Sequence, residues 1–224
     1  MKIRAKHRIL VCIPFGFMLF SVAIVLLYRW VPVKYTLFMF KREIQFKNDD
    51  KYHRTQKYVR LDDISPELIK AVIIAEDQKF YYHPGFDFNE MRAMWKEHKL
   101  NGAPIRGCST ISQQTAKNVF TFGSQTIVRK TMEAYWTILI EILWGKDRIM
   151  ECYLNNAEMG TGIYGIGAAS MIYYNKEPSQ LDMDEVLTIV ACLPNPLVDQ
   201  PGKISISARN RKRNLARKMI IAND

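Results

Sequence analysis

The chain has 224 residues, of which 48% are hydrophobic and 24% charged, and its formal net charge is +10. This length allows a membrane segment plus one globular domain, because single domains mostly fall between about 50 and 250 residues. The positive charge indicates an anionic partner, which leaves nucleic acid, anionic lipid headgroups and phosphate-bearing substrates open. The position of the domain relative to a membrane has to decide among them.

The first predicted element is an uncharged, apolar run from Ile9 to Tyr28. At about 1.5 Å per residue it is long enough to cross a hydrocarbon layer of about 30 Å, so it predicts one transmembrane helix. Basic residues within 1–8 precede it, and Tyr28 and Trp30 form an aromatic belt at its end. This arrangement places residues 1–8 in the cytoplasm and the rest outside, although further basic residues after the span weigh against it. A cleaved signal peptide is disfavoured, because the run is too long and no small-x-small site follows.

Residues 29–57 lie between the span and the globular domain. The segment Leu37–Phe40 is a short apolar cluster with basic neighbours. It predicts either a core strand or a segment that rests on the membrane surface. Asn48–Lys57 is polar and is expected to be a connector, so the globular domain is assigned to residues 58–224.

From residue 58 onward the pattern is helical almost throughout. Ser65 as N-cap and Pro66 at the first helical position start one helix, and Ser109 and Thr110 open another. Further helices are predicted over 127–144, 147–156, 168–174, 184–193 and 207–221. Because strands and helices do not alternate, the sequence predicts a compact, mainly α domain. The cysteines show no C-x-x-C spacing and are expected to be small core residues; they are Cys12, Cys108, Cys152 and Cys192.

Glu76 is the leading candidate for chemistry. It shares the apolar stripe of the first domain helix with Ile69, Val72, Ile73 and Phe80. A carboxylate in such a position is desolvated, which raises its pKa toward the range useful for a general base or acid. The alternative is a buried glutamate that pairs with an arginine or a backbone amide.

The turn at Pro84 and Gly85 brings Asp77, Tyr81 and His83 close to the same helix end. Catalysis by His83 is one possibility. A histidine in such a loop is more often a brace, so bracing is the favoured interpretation.

The stretch Arg106–Asn118 combines a glycine turn, two hydroxyls at a helix start, two adjacent amides and Lys117. Helix N-termini bind anions, and a lysine adds a full charge, so an anion site is one interpretation. The other is that Ser109 and Thr110 only cap the helix while Gln113 and Gln114 are solvated. The residues alone leave the two equal.

Glu133 belongs to a polar row on the helix 127–144. Arg129 at i−4 and Lys130 at i−3 can pair with it. Surface ion pairing is the more common use of such a row, and a catalytic role is the alternative.

The glycines from Gly160 to Gly165 fit G-x-G-x-x-G, and Asp182 and Asp184 follow at a distance suited to a ribose contact. A dinucleotide site requires a strand before the glycines within a βαβ unit, whereas the preceding residues read as helix. We therefore predict a tight glycine turn and no dinucleotide site.

Taken together, these segments resemble the peptidoglycan glycosyltransferase family, which polymerises lipid II, and specifically its monofunctional, membrane-anchored biosynthetic transglycosylases. The similarity covers Leu61 to Pro201. It is carried by five motifs in order, namely EDQKFYYHPG from Glu76, GCSTISQQTAKN from Gly107, RKTMEAYWTILIE from Arg129, KDRIMECYLNNAEMGTGIYGIGAAS from Lys146 and EVLTIVACLPNP from Glu185.

The resemblance implies a lysozyme-like, two-lobed domain with a groove, behind a single N-terminal transmembrane helix. It implies that Glu76 is the general base toward the acceptor hydroxyl in an inverting reaction, and that Glu133 is a second catalytic carboxylate at the donor. Lys117, Arg129 and Lys130 would stabilise the leaving pyrophosphate. The other implied substrate-binding residues are Asp77, Phe80, Ser109, Thr110, Gln113, Gln114 and Asn118.

Family members often use a divalent cation, Mg or Mn, with the pyrophosphate, but the sequence shows no dedicated metal cage. Gln125 and Met132 stand where some members have basic residues, which leaves the phosphate contacts there open. No Ser-x-x-Lys occurs, so we expect glycan strands to be made without transpeptidase cross-linking.

The expected location is the bacterial cytoplasmic (inner) membrane, with an extracytoplasmic domain. The expected partners are lipid II, the growing glycan strand, membrane lipids and other cell-wall or division proteins. Nucleic acid is not expected, and the basic run Arg209–Lys218 is assigned to a solvated face, to headgroups or to the pyrophosphate. A lytic enzyme that cuts peptidoglycan and an inactive membrane scaffold are the alternatives.

Overall fold

The structure is a computed structural model that describes residues 2–50, 52–104, 107–122 and 126–222, with the backbone alone for residues 2–12. Within these ranges the chain is predominantly α-helical, which confirms the predicted mainly α fold. The helices are α1 Lys2–Trp30, α2 Leu37–Gln45, α3 Pro66–Glu76, α4 Phe88–Asn101, α5 Ile111–Phe120, α6 Ile127–Leu143, α7 Lys146–Asn156, α8 Ile166–Tyr174, α9 Met183–Cys192 and α10 Ile206–Ile221. The strands are β1 Thr55–Gln56, β2 Glu158–Gly160 and β3 Ile163–Tyr164.

α1 contains the predicted membrane span. Among the described residues, one window, Ile13–Trp30, is long and apolar enough to cross a membrane. A core helix would be mostly covered, whereas 11% of this window is buried and side chains such as Phe20 and Leu27 are exposed. The second half of α1 nevertheless touches the domain, because the rings of Phe17 and Tyr135 lie 5.7 Å apart.

The apolar cluster at 37–40 is helical, so the strand alternative is wrong. Thr36 is the N-cap of α2, and its side-chain oxygen accepts a hydrogen bond from the Met39 N–H at 3.1 Å. This bond satisfies a free donor at the helix start. Met39 is buried, while Leu37 and Phe40 remain exposed, and this apolar edge is consistent with the membrane-surface alternative.

Two further parts of the fold differ from the sequence prediction. α4 was not among the predicted helices. It has an N-cap at Asp87 and a left-handed C-cap at Gly102, but Met94 is its one buried residue, so its apolar periodicity is weak. β1 lies within the predicted connector. It pairs in parallel with β3, which pairs in antiparallel fashion with β2.

The glycine-rich stretch closes the turn between β2 and β3. Gly162 has a φ of +75°, and a Cβ there would lie 2.6 Å from the His53 carbonyl oxygen. Both the positive φ and the close approach of another backbone require glycine. A dinucleotide site needs a parallel strand-helix-strand unit, whereas β2 and β3 are antiparallel within the motif. The predicted tight glycine turn is therefore confirmed.

The helices of the domain pack in two groups that meet at the end of α3. In one group α5 packs against α6 and α7, with α1 against α6 and α2 against α5. In the other, α3 packs against α9 and α10. Large, fully buried side chains include Leu68, Phe80, Ile111, Ile140, Tyr153 and Tyr164.

Candidate active site

Glu76 is the last residue of α3, and it accepts a hydrogen bond at Oε2 from Nε2 of Gln114, at 2.8 Å. Gln114 belongs to α5, so this bond joins the two helix groups. Burial raises the pKa of Glu76, and the bond from Gln114 and the charges of Lys117 and Arg211 partly oppose that rise. A carboxylate with a raised pKa is suited to take up a proton near neutral pH.

A cleft extends on both sides of Glu76. One depression has a volume of about 470 Å³ and is lined by Glu76, Ser109 and Thr110, among others. A smaller one, of about 160 Å³, is lined by Glu76, Pro194 and other residues of the α3, α9 and α10 group. Glu76 therefore belongs to the walls of both depressions.

The loop that follows Glu76 is braced from within. The buried carboxylate of Asp77 accepts hydrogen bonds from His83 Nε2 at 2.9 Å and from the Ile111 N–H at 3.0 Å. The second bond satisfies one of the free N–H groups in the first turn of α5. Asp77 and His83 therefore fix the loop to the helix that carries Gln114, and the bracing interpretation of His83 is confirmed.

Phe80 lies under this loop and is fully buried. The Nζ atom of Lys146 is 4.6 Å from the centre of its ring. Since the ring has no exposed surface, we correct the expectation of a substrate contact to a supporting role. Gly85 lies farther along the loop with a φ of +89°, and a Cβ there would lie 2.8 Å from Cγ2 of Thr137. The close approach of this loop to α6 thus depends on glycine.

The start of α5 is a capping box. The Thr110 side chain accepts a bond from the Gln113 N–H at 3.2 Å, and Gln113 Oε1 accepts one from the Thr110 N–H at 3.0 Å. Both residues are buried, as is Asn118, so Gln113 is not solvated as the capping alternative expected. Ser109 is exposed in the cleft. Of this stretch, Ser109 and Gln114 are thus better placed than Gln113 and Asn118 to meet a substrate.

Lys117 lies on α5 within electrostatic range of both candidate carboxylates. Burial lowers its pKa; the charge of Glu133 opposes this shift most strongly, and that of Glu76 also opposes it. Arg129 and Lys130 lower the pKa further by like-charge repulsion. Lys117 is thus the residue within electrostatic range both of Glu76 and of the group formed by Glu133, Arg129 and Lys130.

Glu133 is buried, with a side chain that is 2% exposed. It accepts hydrogen bonds from Arg129 Nη1 and from Lys130 Nζ. The pairing agrees with the predicted spacing, but the surface location is wrong, because α5 packs against α6 and covers this part of the polar row. We call Lys117, Arg129 and Lys130 the cationic wall. This wall faces solvent at Lys130, whose side chain remains 49% exposed.

The two departures from the family pattern have different outcomes. Met132 packs against the hydrophobic core as a partly buried side chain. Gln125 lies outside the described residues. Neither position therefore adds a cation to the described part of the wall.

Within the described ranges, no group of three or more His, Cys, Asp or Glu side chains is arranged to hold a metal ion. At the cationic wall both oxygens of Glu133 are engaged by Arg129 and Lys130. The residues there do not fit a protein-held divalent cation, and the cation implied by the resemblance stays a prediction.

Two residues from the basic run of α10 line the cleft, although neither was among the predicted site residues. Lys218 lines both depressions, and Arg211 lines the smaller one. Arg211 is held in place by the Ala191 carbonyl at 2.9 Å and by Asp199 at 2.7 Å. The pair is spaced by about two helical turns, so both side chains lie on one face of α10. The spacing of these two residues within the basic run was the sequence signal that could have placed them together on one face.

Comparison with known proteins decides the family. The model of a family described as Transglycosylase matches residues 43–220, which is most of the chain. This chain belongs to the transglycosylase family. The match begins at residue 43, before the predicted domain boundary at residue 58. The resemblance to the family therefore extends upstream of the predicted domain. Membership confirms the resemblance carried by the motifs and the expectation of an enzyme.

Relatives of this transglycosylase carry a more specific name. A Haemophilus influenzae protein named biosynthetic peptidoglycan transglycosylase is 38% identical over 215 residues, which cover 95% of this chain and 86% of that protein. A protein of the same name from Caulobacter vibrioides is 43% identical, over 85% of this chain and 82% of its own length. One from Bacteroides thetaiotaomicron is 42% identical, over 89% of this chain and 80% of its own length.

Proposed function

We propose that this transglycosylase polymerises lipid II into β-1,4-linked glycan strands in bacterial cell-wall synthesis and releases undecaprenyl diphosphate. The observation that carries the proposal is the partly desolvated Glu76, which accepts a hydrogen bond from Gln114 and lies within electrostatic range of Lys117. Lys117 in turn lies within electrostatic range of Arg129 and Lys130. A polymerase must take a proton from an acceptor hydroxyl and stabilise a leaving pyrophosphate in the same step. A base with a fixed cation within electrostatic range suits these two tasks. The printed names of the relatives support peptidoglycan as the material.

In the proposed reaction Glu76 takes the proton from the 4-hydroxyl of the acceptor N-acetylglucosamine. The hydroxyl oxygen attacks C1 of the donor N-acetylmuramic acid, and a new C1–O bond forms while the C1–O bond to the pyrophosphate breaks. Attack opposite the leaving group inverts C1. The electron pair leaves on the pyrophosphate, where Lys117, Arg129 and Lys130 are most useful because charge develops there in the transition state.

Two supporting roles follow from the contacts of these groups. Gln114 holds Oε2 of Glu76 and so orients the carboxylate. Glu133 holds Arg129 and Lys130 in place and so fixes the direction in which the cationic wall points. Preorganised charge of this kind costs no reorganisation during the reaction.

We further propose that α1 is a single-pass anchor in the cytoplasmic membrane, with the catalytic domain outside. Its apolar window and its exposed side chains support this, as do the basic residues before it. The lipid tail of lipid II stays in the membrane, so an anchored cleft would meet its substrate at the interface. Contacts with other cell-wall or division proteins, and the absence of transpeptidase activity, stay predictions.

The direct test is to incubate the purified chain with lipid II in detergent and to separate the products. We expect a polymer that a muramidase digests, with one undecaprenyl diphosphate released for each bond formed. Glu76→Gln, measured in parallel, should give neither product. Fragments released from finished sacculi, without polymer from lipid II, would overturn the proposal and favour the lytic alternative.

A further inference from the structure

The end of α1 is bonded to the catalytic domain by Arg148 of α7. Its Nε atom donates to the Tyr28 carbonyl at 3.0 Å, and its Nη2 atom donates to the carbonyls of Tyr28 at 2.6 Å and Val31 at 2.7 Å. Carbonyls at a helix C-terminus lack partners within the helix. A cation there also complements the helix dipole. Arg148 therefore caps the anchor helix from a distant part of the chain.

Trp144 adds a second attachment, one turn earlier in α1. Its Nε1 atom donates to the Val25 carbonyl at 2.7 Å, and Trp144 itself is buried. Ring contacts continue along the same side, with centroid separations of 6.1 Å between Tyr28 and Phe120 and 6.2 Å between Phe17 and Trp136. The second half of α1 is thus held at several points against α5, α6 and the start of α7.

Arg148 is itself held in a fixed position. Glu151 accepts hydrogen bonds from Arg148, from the Tyr58 hydroxyl and, at 2.8 Å, from the Leu61 N–H. Burial alone would raise the pKa of Glu151, but these bonds and the charge of Arg148 lower it on balance. The guanidinium is therefore anchored on one side by a charged carboxylate and on the other by the helix carbonyls.

The same turn of α7 also contacts the loop that follows Glu76. Lys146 Nζ donates to the His83 carbonyl at 2.8 Å and to Glu141 Oε1 at 2.7 Å, and it lies over the Phe80 ring. Lys146 and Arg148 are two positions apart in the chain. The first turn of α7 thus joins the loop of the candidate base to the end of the membrane helix.

We infer that Arg148 is a positioning residue that fixes the cleft at one height and orientation above the bilayer. This inference rests on the proposed function, because it concerns a substrate whose lipid tail is in the membrane. A domain on a flexible tether would sample many orientations, and few would present Glu76 to a sugar at the interface. A rigid attachment restricts these orientations in advance, and misplacement of reacting groups by about 1 Å is costly.

The test compares two media for the same 224-residue chain. Polymerisation is measured with lipid II in vesicles of phosphatidylethanolamine and phosphatidylglycerol, and with a short-chain lipid II analogue in detergent micelles. We expect Arg148→Ala to lose about tenfold or more in vesicles and to stay within about twofold of wild type in micelles. For Arg148→Lys, which keeps the charge but not the fork of donors, we expect a rate in vesicles between those of wild type and Arg148→Ala.

Two further variants guard against a general loss of fold. Trp144→Phe removes the donor to Val25 but keeps an aromatic ring, so it should show the same selective loss in vesicles, to a smaller extent. Arg92→Ala removes an exposed arginine of α4 and is the matched control, with no change in the ratio of the two rates. If Arg148→Ala does not fold, the ratio of the rate in vesicles to the rate in micelles for Trp144→Phe decides whether the positioning role holds.

The outcomes separate this inference from the proposed function. Equal losses in vesicles and micelles for Arg148→Ala and Trp144→Phe, or no loss in either medium, would overturn the positioning role. Wild-type protein that makes no polymer in either medium would overturn the proposed function itself. Wild-type activity in both media with a selective loss in vesicles supports both.

Discussion

The two candidate catalytic carboxylates, Glu76 and Glu133, have the same chemistry but different surroundings. Glu76 is half-buried and receives a hydrogen bond from the neutral amide of Gln114, and burial raises its pKa. Glu133 is more deeply buried, yet it receives bonds from two cations. A desolvated carboxylate with a neutral partner suits proton uptake, whereas one neutralised by cations suits a fixed, positioning role. The hydrogen-bonding partners of a carboxylate, more than its depth of burial, distinguish a general base from a group that positions other residues.

The largest effect is expected for Glu76→Gln. Loss of a general base should lower the polymerisation rate by about 10³-fold, within the usual range for such groups. Because the folded pKa of Glu76 lies above its unfolded value, wild-type stability falls as the pH rises through that raised pKa, and the glutamine removes this loss. Rates with lipid II and thermal unfolding at several pH values check both points.

The matched control for this change is Glu67→Gln, an exposed glutamate in the first turn of the same helix. It should leave the rate unchanged. Wild-type activity in the Glu76 variant would remove that residue from the mechanism and with it the contrast between the two carboxylates.

Lys117→Met tests the cation that lies in range of both glutamates. Removing one stabilising group from a developing anion should lower kcat by about 100-fold. Burial lowers the pKa of Lys117, so the folded state already disfavours its charge. An apolar side chain of similar length should therefore not reduce the free energy of unfolding. A variant that keeps full kcat would show that the leaving group is stabilised elsewhere.

Glu133→Gln is expected to lower the free energy of unfolding, unlike Glu76→Gln. It breaks the buried ion pair with Arg129, whose side chain is 19% exposed, and leaves that charge without its carboxylate, at a cost of about 3 kcal/mol. Denaturant unfolding of both variants gives the comparison directly. Equal stability of the two would contradict the distinction between a base and a support.

The smallest effect is expected for Gln114→Ala. The bond from Gln114 favours the charged form of Glu76 and so lowers its pKa. Without that bond the pKa rises further, and the acidic limb of the kcat/KM profile should move to higher pH. A pH series of initial rates measures this, with Gln180→Ala, an exposed glutamine outside the cleft, as control. A shift toward lower pH would contradict the assigned direction.

Local signals in the sequence predicted much of the fold and part of the site. Ser65 and Thr110 are N-caps in the structure, as the residue types indicated. The position of Glu76 on an apolar stripe correctly predicted its desolvation. Each of these features depends on neighbours within one or two helical turns, which is the range over which periodicity and capping operate.

The features that the sequence did not predict depend on packing between distant elements. The burial of Glu133 comes from α5, and the placement of Lys218 in the cleft comes from the packing of α10 on α3. The short cluster at 37–40 was ambiguous, because four apolar residues fit a core strand and a segment on the membrane surface equally well. α4 was not predicted: it buries little apolar surface, so its apolar periodicity gave no signal.

The aromatic contact between α1 and the domain has a practical consequence. Phe120 and Trp136 stack with their rings 4.4 Å apart, and α1 covers part of this pair through Tyr28 and Phe17. A fragment without residues 1–30 would present this surface to water, and exposed apolar patches promote association. We expect such a fragment to self-associate as its concentration rises and to return to single molecules in mild detergent, which analytical ultracentrifugation can follow.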